Sequence, residues 1–508
     1  MESNPVNATL NFKGKVIEFR FNEFVQVRDI ANQLVVTPQT KERPLVEANG
    51  KTVTVKFLED LMPNTTYRLF FGNAILDMRE SNAISNFEFV FSTGNFIDSL
   101  FIEGKVTKAF NLKPEKETTV GLYTANESDS VVFKKKPLYF TKTNESGAYK
   151  LSYLPKASFK IFAFTDYNKN LLFDGGEEAL GFSNNLIKTG EDSLLMLKTF
   201  KEPPAKVFLK KASSPIYGVA YLVYNRELKN VVECYYKNQQ TNISGGSGIN
   251  DTCKVFYKDI FDTLRLLVHH PDINKTDTVS ITVSSKERFE RLKAENKSIL
   301  TIDLGPLNGT KLDYFADPFL VFNNWMDEKS FDASKTILRY KTDSIIKTGL
   351  QLSKKTENSF RIDNKLLPGT NYDLLFIKGA FKTMIGTESD SAKISFKTTE
   401  ALDYAKLNLK LLLPRKENYI VQLIDASEIV IAEQYIEMSL TSSAEQVVKF
   451  KNLVPGNYFA KVIEDKNQNK KWDTGSISLQ KQPETIYFNG LAIKLLADWD
   501  SETEWKVE

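Results

Sequence analysis

Leu61-Met-Pro-Asn-Thr-Thr-Tyr-Arg-Leu-Phe-Phe71 joins a proline turn to a short alternating run in which Tyr67, Leu69 and Phe71 share one face. Alternation of this kind is the period of a half-buried strand, not of a helix. The stretch returns 305 residues later as Leu366-Leu-Pro-Gly-Thr-Asn-Tyr-Asp-Leu-Leu-Phe376. With that offset held, Leu69 meets Leu374, Phe71 meets Phe376 and Phe91 meets Phe396. A match over roughly thirty residues without a gap marks an internal copy.

Around the first copy, Lys15-Val-Ile-Glu-Phe-Arg-Phe21, Lys51-Thr-Val-Thr-Val-Lys-Phe57 and Phe87-Glu-Phe-Val-Phe91 read as further strands, and Asn49-Gly50 as a hairpin turn. The segment 1–96 is expected to be an Ig-like β-sandwich, and 303–400 a second one.

A different unit follows each copy. Leu154 with Pro155, then Phe159-Lys-Ile-Phe-Ala-Phe164, leads into Asp166-Tyr-Asn-Lys-Asn-Leu-Leu-Phe-Asp-Gly-Gly-Glu177. Near the C-terminus, Leu453-Val-Pro-Gly-Asn-Tyr458 leads through Phe459-Ala-Lys-Val-Ile463 into Asp465-Lys-Asn-Gln-Asn-Lys-Lys-Trp-Asp-Thr-Gly475. At an offset of 299, Leu154 meets Leu453, Phe173 meets Trp472 and Asp174 meets Asp473. The units are expected at 97–203 and 401–508. Between the pairs, 204–302 carries five strand-like runs and one stretch, Ser285 to Asn296, with Phe289 and Leu292 at helical spacing. The fold class expected is all-β, five sandwiches in tandem in the order A-B-C-A-B.

The Asp/Asn loops have the rhythm of a calcium site. Asp166, Asn168, Asn170 and Asp174 stand at positions 1, 3, 5 and 9, Leu172 offers its carbonyl at position 7, and Glu177 falls at position 12. A hard cation takes six to eight oxygens, and short alternating carboxylates and amides supply them from one turn. Leu171 occupies position 6, where glycine is usual. The second loop repeats Asp465, Asn467, Asn469 and Asp473 but has Ser476 at position 12, so weaker binding or none is expected there. The competing reading is a turn in which Asp and Asn cap their own backbone. Calcium, if bound, would be structural. Phe173 and Trp472 are expected to plug the ends of their sandwiches.

Cys234 and Cys253 flank a glycine-rich stretch, Gln239 to Asp251, that reads as a hairpin loop. Strands brought side by side there could carry a disulfide, worth about 3 kcal/mol in the chain-entropy model. His269 and His270 are the two histidines of the chain, and neighbours in a strand point to opposite faces. They do not suit a shared zinc or a His-based nucleophile. The chain has 508 residues with 67 Lys+Arg against 64 Asp+Glu, a formal net charge of +3, so no nucleic-acid surface is expected. Lys134-Lys135-Lys136 reads as a solvated edge. No apolar run reaches the ~18 residues of a membrane span. The alternating end, Trp499-Asp-Ser-Glu-Thr-Glu-Trp505, reads as a final half-buried strand, or as an edge that docks a partner. No carboxylate pair is marked out for catalysis, and the chain is expected not to be an enzyme.

The Leu-x-Pro-x-Thr-x-Tyr turn ending at Tyr67 and at Tyr372 resembles the tyrosine corner of fibronectin-type and Ig-like domains, in which the hydroxyl reaches back to the backbone. Asn11-Phe-Lys-Gly-Lys-Val-Ile-Glu-Phe-Arg-Phe-Asn-Glu-Phe24 resembles the Ig-like modules named for a surface-layer protein. The 97–203 and 401–508 units resemble prealbumin-like or carboxypeptidase-regulatory-like sandwiches. These resemblances imply a bacterial envelope or surface protein, exported and outer membrane-associated, periplasmic or at the cell surface. The opening Glu2-Ser-Asn-Pro-Val reads as a domain edge, as in a form trimmed of its export signal, and a lipid anchor is implied by the resemblance alone, since the lipidated cysteine that would carry it is absent from this sequence. The function implied is a non-catalytic structural or adhesion-type scaffold, a semi-rigid arm that presents or bridges protein partners. Two alternatives stand beside it: an accessory subunit of an outer-membrane assembly or transport complex, and a carbohydrate-binding surface protein using exposed aromatics such as Trp325, Trp499 or Trp505.

Overall fold

Alternating apolar residues can be buried only if two sheets close on one another, and the computed structural model does this in every segment. It describes residues 1–191, 194–204, 206–228, 230, 232–237, 239–240, 243–244, 251–294, 300–307, 309–341, 345–439 and 441–508. In the first module a sheet ordered Glu2–Asn4, Val16–Arg20, Thr52–Lys56, Leu45–Asn49 faces a sheet of Val35–Thr37, Thr66–Phe70 and Glu88–Ser92. Ile17, Phe19, Val53, Val55, Leu69, Phe89 and Phe91 fill the space between. The fourth module repeats this order with Ile302–Gly305, Phe319–Phe322, Ser359–Ile362 and Leu352–Thr356 against a sheet containing Thr336–Lys341, Asn371–Phe376 and Ala392–Thr398. Met62 N–H donates to the Tyr67 hydroxyl at 2.9 Å, and Leu367 N–H to the Tyr372 hydroxyl at 2.7 Å. Each ring stacks on its cross-strand partner, Phe91 or Phe396, so one side chain both fills the core and satisfies a turn amide.

The second and fifth modules also share one topology. Leu100–Lys108 lies between antiparallel Ala148–Leu154 and parallel Leu194–Thr199; Ala405–Leu412 lies between antiparallel Glu445–Leu453 and parallel Asp500–Lys506. The facing sheets run Tyr139–Lys142, Thr119–Thr124, Ser158–Phe164, Leu180–Phe182 and Val430–Ile436, Asn418–Ile424, Gly456–Asp465, Ile486–Phe488. The C-terminal strand is half buried: Trp505 packs on the fifth core while Trp499, just ahead of the strand, is 61% exposed.

The third module corrects the cysteine expectation. Thr252–Phe256 pairs with Val219–Tyr224, whereas Glu233–Tyr236 pairs with Thr263–His270 in the other sheet. Cys253 and Cys234 therefore face the core from opposite sheets, and no hairpin sets their strands side by side. No disulfide joins them; burial pushes the Cys234 thiol up to about 12 and the Cys253 thiol up to about 11. Most of the intervening glycine-rich stretch lies outside the described residues. The helical spacing of Phe289 becomes a helix, Lys286–Ala294, whose Phe289 packs against Tyr217 and Phe261.

The modules do not simply run end to end. The second and fifth, about 300 residues apart in sequence, pack against each other. Phe110 of the second meets Trp472 of the fifth at 5.1 Å, and Ile477 joins a cluster with Phe162, Phe182 and Phe200. Asn324 of the fourth donates to the Tyr217 carbonyl of the third at 2.8 Å, and Tyr404 of the fifth bonds Asp313 of the fourth. The last four modules thus form a closed circuit. The first stands beside it, held to the second by Gln39 N–H on the Leu138 carbonyl at 2.6 Å and Asp98 N–H on Thr66 Oγ1 at 2.8 Å.

Candidate functional site

The strand Ser158–Phe164 runs out of its sheet into the first Asp/Asn loop, and the side chains there hold the backbone. Asp166 accepts the Asn170 N–H on Oδ1 and the Leu171 N–H on Oδ2, both at 3.0 Å. Asn168 Oδ1 accepts the Asn170 N–H at 3.1 Å, and Asn170 Oδ1 the Leu172 N–H at 2.7 Å. These bonds hold two non-glycine residues in the left-handed region, Lys169 at φ 59° and Leu171 at φ 62°. Position 6 thus takes the conformation of a calcium loop without its glycine.

The glutamate that closes the loop is Glu178. Its Oε1 accepts the Tyr167 N–H at 3.1 Å and its Oε2 the Asp174 N–H at 2.8 Å. It is 5% exposed, and burial raises its pKa against those two hydrogen bonds. Glu177, expected as the position-12 ligand, instead points to solvent and pairs with Lys201 at 2.9 Å. The expectation failed by one residue because Gly175 and Gly176, both at positive φ, turn the chain so that the second carboxylate faces in.

The C-terminal loop has the same network. Asp465 accepts the N–H groups of Asn469 and Lys470, Asn467 that of Asn469, and Asn469 that of Lys471. Gln468 and Lys470 take φ 63° and 62°. Its closing carboxylate is Glu484, 4% exposed, which accepts from Lys466 N–H at 2.9 Å and Asp473 N–H at 3.0 Å, and burial again raises its pKa. Three residues lie between Asp174 and Glu178 and ten between Asp473 and Glu484, an insertion of seven. The signal in the sequence was the shared Glu-x-apolar step into the next strand, Glu178-Ala-Leu180 and Glu484-Thr-Ile486.

The donor set of each loop is two aspartates, two asparagines and a buried glutamate. In the first, both asparagine amides donate to Asp174 Oδ2, at 2.6 and 2.8 Å, so N–H groups close the gap among these three side chains. A cation among them would need the amides to turn their oxygens inward. Among the described residues no three His, Cys, Asp or Glu side chains converge as a metal set. The turn is closed by its own hydrogen bonds.

The insertion does something else: it clasps the second module. Thr474 Oγ1 donates to the Lys201 carbonyl at 2.9 Å, Ile477 N–H to Glu202 Oε1 at 2.7 Å, and Gln482 Nε2 to the Phe182 carbonyl and Asn184 Oδ1, both at 2.9 Å. Asn184 in turn donates to the Gln480 carbonyl at 3.2 Å. On the other side Phe110, 47% exposed, lies against the fifth module. Lys461 Nζ lies 3.5 Å from its ring centre, and Lys113 and Asn111 both hold Glu428. Lys461 is 5% exposed, and burial holds its amine down to about 8. The plugs differ accordingly. Phe173 is buried within its own module, while Trp472 stands in the seam and donates through Nε1 to the Glu484 carbonyl at 3.1 Å.

The other singled-out residues are dispersed. Tyr224 OH and His270 Nδ1 lie 3.1 Å apart in the third core, and His269 reaches Thr276 at the surface. Lys134, Lys135 and Lys136 are exposed, and Lys135 pairs with Glu127. Trp325 donates to Glu357 and packs near Phe256 between the third and fourth modules, so of the three tryptophans expected as exposed platforms only Trp499 is one.

The fold and site define a multidomain, all-β protein of tandem sandwiches with two self-capped Asx loops. Residues 1–93 match the family described as a bacterial Ig-like domain, and the first module belongs to it. The chain is similar to surface layer protein SbsC, domains 1-6, at 10% identity over 92% of this chain and 66% of that one, with a TM-score of 0.15. It is also similar to BcpA, the major pilin subunit of Bacillus cereus (10% identity, 80% and 99% covered, TM-score 0.14), and to the BSP domain of a biofilm associated protein (9%, 91% and 93%, 0.15). At such TM-scores these likenesses carry no argument about arrangement or activity. No curated protein matches. Among the described residues no helix is long and apolar enough to cross a membrane.

Proposed function

We propose that the chain is a non-catalytic structural scaffold of the bacterial cell envelope, exported, that presents or bridges protein partners. The observation that carries this reading is the seam between the second and fifth modules. It turns a string of sandwiches into a braced platform, with the first, Ig-like module standing beside the circuit. The semi-rigid arm expected from the sequence is here folded back on itself. Fixed spacing between outward faces is what a presenting scaffold needs, because preorganised surfaces lose less freedom on binding. The test is affinity capture by the intact chain from a detergent extract of the envelope, with a variant that opens the seam in parallel. Recovery of a defined envelope protein, reduced by the open variant, is expected. If no envelope protein is retained above a control bait, the reading fails.

We further propose that calcium, where available, binds the two Asx loops as a stiffener. What supports this is that both loops carry the same five side chains, Asp166, Asn168, Asn170, Asp174 and Glu178 in one and Asp465, Asn467, Asn469, Asp473 and Glu484 in the other. Binding to the folded state alone raises stability by mass action. A melting temperature that is the same in calcium and in chelator would refute it.

A further inference from the structure

The clasp roofs over a cavity of about 290 Å³ on the outer face of the second module. Leu186, with the edge of the buried Phe182 behind it, forms an apolar wall, and Asp129, Lys160, Asn184, Asn185 and Gln480 surround it. Asp129 Oδ1 accepts from Lys160 Nζ at 2.5 Å, and its Oδ2 takes the Gln480 amide. The one anion and the one cation of the cavity are therefore spent on each other. An added anion would meet Asp129 and an added cation would meet Lys160, with no net charge to reward either. A purely apolar ligand would strip water from these polar groups without replacing its hydrogen bonds. What remains in use is a mixed set. The Lys160 ammonium has three N–H groups, of which Asp129 takes one, the Gln480 side-chain Oε1 is an acceptor, and the exposed Asn185 carboxamide is both donor and acceptor.

We propose that this cavity binds a neutral sugar. Hydroxyls both donate and accept, which suits adjacent amide and ammonium groups, and the C–H face of a pyranose packs on an exposed apolar side chain such as Leu186, which lines the cavity and is 45% exposed. The volume is at the small end for ligand pockets, enough for one ring or the terminal residue of a glycan. Since the wall comes from the second module and Gln480 from the fifth, an occupied cavity ties the seam. This inference does not rest on the scaffold reading: its test reads ligand occupancy, not partner capture.

Glucose, galactose, mannose and N-acetylglucosamine are titrated into the intact chain by calorimetry and saturation-transfer NMR, with glucuronate and glucosamine as charged comparisons. Saturable binding of at least one neutral sugar, with Kd of about 1 mM or tighter, is expected. The substitution Asn185→Ala, at an exposed position outside both cores, should weaken it about tenfold with no change in melting temperature. The proposal is overturned if none of the four saturates by about 20 mM, if a charged sugar binds as tightly, or if Asn185→Ala binds as the parent does.

Discussion

Three residues, in two kinds of site, carry unusual costs that their neighbours offset. Lys169 and Gln468 occupy matching places in the two loops, both exposed and both left-handed, at φ 59° and 63°. A side chain there costs about 1–2 kcal/mol against glycine, and the looser unfolded chain returns about 0.4–1 of that. Lys169→Gly and Gln468→Gly should each stabilise by roughly 0.5–1 kcal/mol in urea unfolding, whereas Gln468→Val should destabilise. Lys461 is the second case. Its folded pKa near 8 lies below the usual 10.5 because burial in the seam disfavours the charge, with Glu428 partly opposing. Between those values the unfolded chain holds a proton that the folded chain lacks, so stability rises with pH through that window. Below pH 8 the charge is carried at a cost on the order of 3 kcal/mol at most. Lys461→Met keeps a soft contact with Phe110. It should raise the melting temperature at pH 7 and flatten the rise between pH 8 and 10.5, measured as the difference between variant and parent. An identical pH profile in both would contradict the burial of the amine.

At the level of the element, the Asx loop is a turn stapled by a glutamate from the far side. Glu484→Ala leaves the Lys466 and Asp473 N–H groups without their acceptor, a loss of about 2–3 kcal/mol. Amide exchange at Lys466 and Asp473 should quicken in step. Because burial raises the carboxyl pKa of Glu178 and Glu484, each contributes most below the ordinary glutamate range and loses stability as pH rises through the folded value. Glu484→Gln should remove part of that slope in denaturation curves taken from pH 4 to 8. The loop also marks where sequence reasoning stopped. Strands, sandwiches and both repeats were legible because burial on one face imposes alternation, and because a constant offset of 305 or 299 survives wherever no residue is gained. The final carboxylate was not legible. Seven inserted residues moved it to Glu484, and in the first loop Gly175 and Gly176 rotated Glu178 inward past Glu177. The cysteines were misjudged for a related reason. Nearness in sequence suggested a hairpin, but Cys234 pairs across to Val268 and Cys253 to Leu222, in different sheets.

For the whole molecule the decisive contact is one that no periodicity encodes. The seam is made by loop residues, Phe110 on one side and Thr474 to Gln482 on the other, whose polar groups bond backbone as often as side chain. It closes a circuit through two further modules, and the entropy of closing a long segment grows only slowly with its length. A modest interface can therefore hold it. Gly475 is the position at which to test this. A Cβ there would stand 2.5 Å from the Phe200 ring and 2.8 Å from the Lys481 carbonyl, and the obstruction is backbone and a buried ring, not a mobile side chain. Gly475 lies in the insertion, outside the hydrophobic cores of both modules, so Gly475→Leu should wedge the seam and leave each sandwich folded. Three readouts follow. The radius of gyration from small-angle scattering should increase. Carbodiimide coupling of Lys113 to Glu428, which pair across the seam, should fall steeply. Trp472, freed from Phe110, should emit to the red. A variant with unchanged scattering and full Lys113–Glu428 coupling would mean that the two modules are not held together by this contact, and the closed platform would have to be given up with it.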